Sequence, residues 1–360
     1  SLKIFKPTIN DYLIQNQFSE KKPFDTVFSV DKSYKFTQFN NRDNFGKIQF
    51  ANIGEGFQDL VFSFNKEQNL ALLPTKKSHF ILGIDDIRYY DVKTPTTSFV
   101  YHNAMSQGAA LQSTYTQNFG KNLNVAVEYM GLRSQGLYRR ELAASNSFIF
   151  SAKFNSDNSR YKFFTHYIHQ NVNNEENGGI NDLSLFLGDD SRFKTRQNLP
   201  VNLSYTSSQF SYRRYYFSQE FQFVNSEKYP FKVRHTLFHQ ANKYKYLQAG
   251  TENYYNSDLL ADFDTYAYKF SKNLSNTISL LFDKPAFKLE AGARHQLLDL
   301  GTDRELPSSA GVFIPKDNKE NRLGAVGNLE IKLWDKIDVH SALEYSNGKI
   351  FGNFLRSENN

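Results

Sequence analysis

LNVAVEYMG, residues 123–131, has two faces. In an extended chain Leu123, Val125, Val127 and Tyr129 project to one side, and Asn124, Ala126, Glu128 and Met130 to the other. Helical spacing fits these residues worse than period two, so the segment reads as a β-strand. The chain around it is hydrophilic, with a mean hydropathy of −0.59, and offers no obvious soluble core for such an apolar face. GLRSQGLYRR, with Arg133, Arg139 and Arg140, follows directly.

Working outward, the same alternation recurs over 109–118, 146–155, 160–170, 209–224, 231–245, 274–282, 286–298, 322–333 and 337–346. Phe148, Phe150, Ala152 and Phe154 share a face, with Ser151 and Lys153 opposite. Phe287, Leu289, Ala291 and Ala293 do so against Lys288, Glu290 and Arg294. Short connections around 120–121, 156–158, 226–228, 283–285 and 335–336 use turn-forming residues. They alternate with long ones at 132–145, 171–208, 246–273 and 299–321. In an up-and-down sheet this alternation puts tight turns at one end and long loops at the other, as in outer-membrane barrels with short periplasmic turns and long extracellular loops.

Several strands reach ten residues, longer than the ~5–6 usual in globular sheets and matching the ~9–11 a tilted membrane strand needs. The fold expected is therefore all-β, a transmembrane up-and-down antiparallel barrel. Residues 1–57 are expected to form an irregular lead, periplasmic or packed in the lumen. The barrel is expected over 58–360, with its first strand near 58–65 and others within 77–92 and 98–103. Phe119, Phe154, Phe231, Phe282, Phe287 and Trp334 flank the short turns and are expected at the membrane interface.

Composition bounds the function. The 360 residues carry a net charge of +6 spread without a basic block, which gives no footprint for nucleic acid. Cysteine is absent, so disulfides and thiolate metal sites are excluded. No run of 18 apolar residues marks a transmembrane helix, a test blind to membrane strands.

Three blocks resemble the β-barrel porin family of Bacteroidetes-type bacteria: DNFGKIQFANIGEGFQDL (43–60), EYMGLRSQGLY (128–138) and HYIHQNVNNEENGGIND (166–182). They stand in the family's order and with their intervening strands cover most of 40–185. The resemblance implies an outer-membrane barrel with a porin-like role. The chain is shorter than that family's usual members and ends FLRSENN, after a strand beginning near Ile350, instead of on a terminal aromatic. The reading therefore leaves open that it holds only part of a larger barrel.

With the apolar faces toward lipid, Arg160, Lys162, Lys288, Glu290, Arg294, Arg322, Glu330, Lys332, Asp338 and Glu344 are expected on the lumen side. They either line a water-filled pore or pair across strands in a plugged one. Their mixed signs argue against strong ion selectivity, which favours rings of one sign. Arg133, Arg139, Arg140, Glu175 and Glu176 are expected in external loops, where the arginines could meet lipopolysaccharide or simply be solvated. The acidic stretch with Asp182, Asp189 and Asp190 matches no EF-hand, and a solvated loop is the favoured reading. His166 and His169 point to opposite faces of one strand and cannot share an ion undistorted. Gly54 and Gly56 are too few for a phosphate cradle, and no G-x-S-x-G or H-E-x-x-H occurs. No cofactor or enzymatic activity is expected. The function expected is passive diffusion of small hydrophilic solutes. The alternative is an accessory barrel within a multi-protein outer-membrane assembly. Expected partners are lipid, lipopolysaccharide and, in the second case, other envelope proteins.

Overall fold

Tight turns need left-handed residues and long strands need uninterrupted alternation, and the computed structural model shows both. It describes residues 6–24, 47–49, 52, 54–60, 77, 80–104, 108–224, 226, 230–248, 254, 266–302, 306–307, 313–314, 316–334 and 336–359. One antiparallel sheet dominates. Its strands are β1 (Thr96–Ala104), β2 (Gly108–Phe119), β3 (Leu123–Ser134), β4 (Ala143–Asn155), β5 (Tyr161–Glu175) and β6 (Thr206–Gln222). They continue as β7 (Phe231–Gln248), β8 (Tyr266–Lys284), β9 (Phe287–Thr302), β10 (Asp317–Leu333), β11 (Ile337–Asn347) and β12 (Phe354–Asn359). Each pairs with its sequence neighbours, the order running from β12 to β1 without crossover. No pairing joins β1 to β12 among the described residues.

All ten strands of the sequence reading are present, most of them longer than expected. The loops shrink accordingly: 132–145 becomes the link between Ser134 and Ala143. Two further strands flank the ten. Both β1–β2 and β11–β12 are joined by short connections at the long-loop end, so the length asymmetry does not extend to the sheet's margins. The strand expected at Ile350 starts at Phe354, after a bend with Gly352 at φ +74°. At the opposite end Gly120 turns at φ +65°, a conformation that favours glycine. The Asn122 carboxamide donates to the Asn155 carbonyl and to Asp157, each at 2.8 Å, tying two neighbouring turns to one level. Asn122, with Lys121 beside it, holds the Asp157 carboxyl below the usual carboxylate range.

Among the described residues the large sheet begins at Thr96, and the expected strand near 58 is not part of it. Phe57–Asp59 pairs instead with Lys47–Gln49, and 61–65 lies outside the described residues. Leu13–Gln15 pairs with Lys22–Pro23 and with Tyr89–Asp91 in a separate small sheet. This N-terminal portion packs on one face of the large sheet, called here the inner face. Phe80, Leu82, Ile87 and Tyr89 bury against Ile149, Phe164, Ile168, Val172, Phe210 and Tyr212 of β4–β6. Of these, β5 and β6 also carry large apolar residues on the opposite face, with no clean alternation to follow. At the long-loop end Gly54, at φ +92°, sits so close that an added Cβ would lie 2.4 Å from the Leu132 Cδ2. Its residue type answers a packing and conformational need.

The other face is inverted relative to a soluble protein. Phe99, Tyr101, Tyr115, Tyr129, Phe148, Ile278, Leu280, Leu323, Leu343 and Leu355 are all exposed there. Meanwhile Asn124, Glu128, Ser147, His166, Arg214, Ser218, Glu220, Asn273 and Gln296 are buried on the inner face. Truncating Ile168, which is fully buried at the heart of the packed cluster, tests this inner contact. Ile168→Ala is expected to cost about 2–5 kcal/mol in urea unfolding from lipid vesicles. It is also expected to raise protease cleavage within residues 80–92, read by mass spectrometry.

Candidate functional site on the inner face

Register decides which charged groups meet. Lys162 of β5 stands opposite Glu220 of β6, and Glu220 opposite Arg234 of β7. Lys162 Nζ lies 2.8 Å from the Glu220 carboxylate, and Arg234 Nε donates to Glu220 at 2.8 Å. Arg234 Nη1 reaches on to Glu290 of β9, also at 2.8 Å. Phe18 of the N-terminal portion covers both cations, with the Arg234 guanidinium 4.2 Å and the Lys162 ammonium 5.0 Å from its ring centre. Glu220 is thus buried but compensated, which its charge requires.

Across β9–β11 the pairing continues. Lys288 bridges to Glu330 at 3.2 Å, and Arg294 pairs with Glu344 while donating to the Thr277 hydroxyl at 3.1 Å. Arg322 donates to Glu320 at 2.9 Å and to the Gly352 carbonyl at 3.0 Å, securing the turn before β12. Lys332 and Asp338 oppose one another in register, and both are exposed. Nine of the ten residues expected on the lumen side therefore share the inner face. Arg160 is the exception: its guanidinium donates to the carbonyls of Gln222 and Phe223, both at 3.1 Å, and clamps a tight turn. It precedes β5, where strand parity no longer governs its direction.

A second network, missed in the sequence reading, holds the N-terminal portion. Arg214 donates to His166 Nε2 at 2.9 Å, to the Tyr212 hydroxyl at 2.6 Å and to the Gly83 carbonyl at 2.9 Å. Arginine only donates, so Nε2 of a neutral His166 accepts and Nδ1 carries the proton toward the Tyr89 hydroxyl, 2.8 Å away. Gln170 accepts from the Leu82 backbone N–H and donates to the Phe80 carbonyl. Arg88 pairs with Glu128 of β3. Parity places Glu128 and Arg214 inward, but Arg214 lies between Tyr212 and Tyr216, so its strand gave no polar stripe to notice. His169 points to the opposite face from His166, and its Nε2 lies 2.9 Å from Asn171 Nδ2. Among the described residues no group of three histidine or carboxylate side chains could hold a metal ion.

Of the residues expected in loops, Arg139, Arg140 and Glu176 lie between strands at the long-loop end, whereas Arg133 and Glu175 belong to the ends of β3 and β5, because both strands run further than their alternation alone suggests. Arg140 lies 3.5 Å from Glu175 and 5.2 Å over the Tyr205 ring, while the Arg139 carbonyl accepts from Asn177. Glu176 accepts from the Ser208 hydroxyl. Arg133 and Arg139 are exposed. Asp182 accepts from the backbone and hydroxyl of Ser184. Asp190 is held below the usual carboxylate range by the Arg192 guanidinium and backbone N–H. These carboxylates organise their own loop.

At the tight-turn end Phe119, Phe154, Phe231, Phe282 and Phe287 of the expected interface aromatics lie on the outer face among further rings. Phe154 stacks on Phe163, with centroids 5.5 Å apart, and Phe163 contacts Phe217 at 5.7 Å. Phe231 meets Phe282 at 5.2 Å, and Phe282 meets Phe287 at 6.0 Å. Phe119 and Trp334 are exposed on their turns, Trp334 at 79%.

No curated protein matches this chain in sequence. Among solved structures it is similar to the ferric-catecholate import receptor Fiu of E. coli K12 in its open form, with TM-score 0.47 and 10% identity over 73% of this chain and 50% of that one. It is also similar to the siderophore receptor PiuA of Acinetobacter baumannii, with TM-score 0.42 and 9% identity over 74% and 44% of the respective chains. For the ferric citrate transporter FecA without ligand, the TM-score is 0.41 and the identity 13%, over 73% and 40%. The chain spans half the length of the first of these receptors and less of the others. The family described as "Putative porin" matches residues 8–360, and with its inverted twelve-stranded sheet the chain belongs to that family, a β-barrel protein of the bacterial outer membrane.

Proposed function

We propose that the protein is a channel for passive diffusion of small hydrophilic solutes across the outer membrane. One observation carries the reading: charged and amide side chains from every strand between β2 and β11 share the inner face, while the exposed aromatic and aliphatic residues concentrate on the outer face, where the polar groups pair with one another, as in His235 with Asn276 and Lys272 with Asp299. The tight turns are then periplasmic and the long loops external, as in other outer-membrane barrels. The N-terminal portion covers the inner face over β4–β6, whereas Lys288, Glu330, Lys332 and Asp338 stay exposed on β9–β11. The solute path runs along that uncovered side. Its mixed signs favour weak ion selectivity, and exposed Arg133 and Arg139 suit contact with lipopolysaccharide phosphates. No covalent chemistry is required.

The dense hydrogen bonding of the N-terminal portion favours a second reading, an accessory barrel whose lumen is filled and whose loops meet other envelope proteins. Planar-bilayer recording decides between them. Stepwise currents reversing near zero in a salt gradient are expected, with Lys288→Glu/Lys332→Glu shifting the reversal potential toward cation preference. A folded, electrically silent barrel would overturn the channel. The outer face has its own test. Ile278→Lys on β8 is expected to destabilise the vesicle-embedded protein by ~2–4 kcal/mol if it lies near the bilayer midplane, whereas Asn273→Lys on the inner face costs less. Equal costs would remove lipid from that face.

A further inference from the structure

Between the inner face and the N-terminal portion, at the tight-turn end, lies a cavity of about 240 Å³. The ends of β2–β5 form one wall, and Gln15, Phe18, Ser19 and Lys21 close the other. Its lining holds Lys21, Lys121, Lys153 and Lys162 against one carboxylate, Asp91. Three of these cations are already compensated. Lys21 lies 2.7 Å from Asp91, Lys121 3.0 Å from Asp157, and Lys162 2.8 Å from Glu220. Asp91 is itself engaged further, accepting from Asn118 at 3.0 Å and lying 4.0 Å from Lys93.

Lys153 differs. Its ammonium donates to the Gln15 side-chain oxygen at 3.1 Å, and among the described residues no carboxylate lies within ion-pair distance. It projects inward from β4, opposite Phe164 of β5 and Asn124 of β3, both of which also line the cavity. An ammonium has three donors, and removing it from bulk water without a counter-charge is costly. Asn122 and Asn124 already commit both side-chain N–H groups to protein acceptors, which leaves one N–H of Asn118 and the amide of exposed Asn155 as further donors, and Phe18 and Phe164 supply an apolar wall. Lys121 and Asn155 are exposed at the rim, so the cavity is reached from the tight-turn side. Its size falls below the ~300–1,000 Å³ of drug-sized pockets, which suits a small ligand.

We propose that this cavity is a binding site for a small oxyanion, a carboxylate or phosphate group, anchored on Lys153 at the periplasmic mouth of the barrel. The proposal rests on the reading of the inner face as solute-facing. The anion supplies the charged contact that Lys153 lacks, with Asp91 acting on it only from beyond ion-pair distance, the amides of Asn118 and Asn155 donate to its remaining oxygens, and the aromatic wall accommodates any short apolar body.

Calorimetric titration of the detergent-solubilised full chain with inorganic phosphate and, separately, succinate tests it. Saturable binding of at least one probe is expected, weakening as ionic strength rises. Phosphate alone assigns a phosphate site, and succinate alone a carboxylate site. Lys153→Met is expected to lower affinity roughly tenfold, as loss of a charge-assisted contact should, with Lys153→Arg retaining most of it. Circular dichroism checks that each variant is folded. On the unmutated protein, the bound probe is expected to protect Lys153 from acylation, read by mass spectrometry, independently of any variant. Absence of saturable binding by both probes, or unchanged affinity in folded Lys153→Met, overturns the site. Bilayer conductance reports on the channel separately. Binding in a silent barrel keeps the site and removes the channel, and current without binding does the reverse.

Discussion

Every strand of the large sheet must present backbone donors and acceptors to a neighbour, because in hydrocarbon an unpaired N–H or C=O has no water to turn to. That constraint accounts for the length and regularity of β2–β11. It also explains why the apolar residues look outward: with the backbone satisfied inside the ladder, the surrounding solvent becomes lipid, and Tyr129, Ile278 and Leu343 need no protein core. The two-residue period then brings Lys162, Glu220, Arg234, Glu290, Arg294 and Glu344 to the inner face. The charged groups meet there as a consequence of register and require no special loop to bring them together.

On the inner face charge is managed by pairing. Glu220 sits between Lys162 and Arg234, Glu290 beside Arg234, and Glu344 beside Arg294. Such chains keep burial of ionised groups tolerable, since each carboxylate has a guanidinium or ammonium in contact. The N-terminal portion exploits the same face differently. It brings Phe80, Leu82, Ile87 and Tyr89 to an apolar patch on β4–β6 and then fastens itself with directional bonds from Gln170, Arg214 and Glu128. The result divides the inner face into a covered half and a charged, accessible half, which is the geometry on which the proposed solute path depends.

The ten strands, their directions and the facing of nine charged residues were legible because alternation is a local property that survives without knowledge of partners. Gly120 and Asp157 likewise announced turns through their own conformational preferences. The buried network around His166 and Arg214 was not legible. On β5 and β6 both parities carry large apolar or aromatic residues, as in Phe163 and Phe164 or Tyr215 and Tyr216, and such a strand does not say which face is polar. Only the docking of Tyr89 and Gly83 gives Arg214 its role. Arg160 misled for a related reason: one residue before the strand begins, parity ceases to set direction, and the guanidinium turns to the carbonyls of Gln222 and Phe223.

The sequence by itself determined the membrane-type sheet, since period-two patterning with apolar outward faces and tight turns at one end admits few other solutions. The tertiary structure alone decided where the sheet begins and what lies against it. Among the described residues Thr96 rather than residue 58 opens it, because residues 80–92 bury their apolar side chains on the inner face instead of pairing with its edge. It also decided that Lys153 faces a cavity without a carboxylate partner. Contacts between β4 and Gln15, 138 positions apart in sequence, depend on how the chain returns across the sheet, which no local pattern encodes.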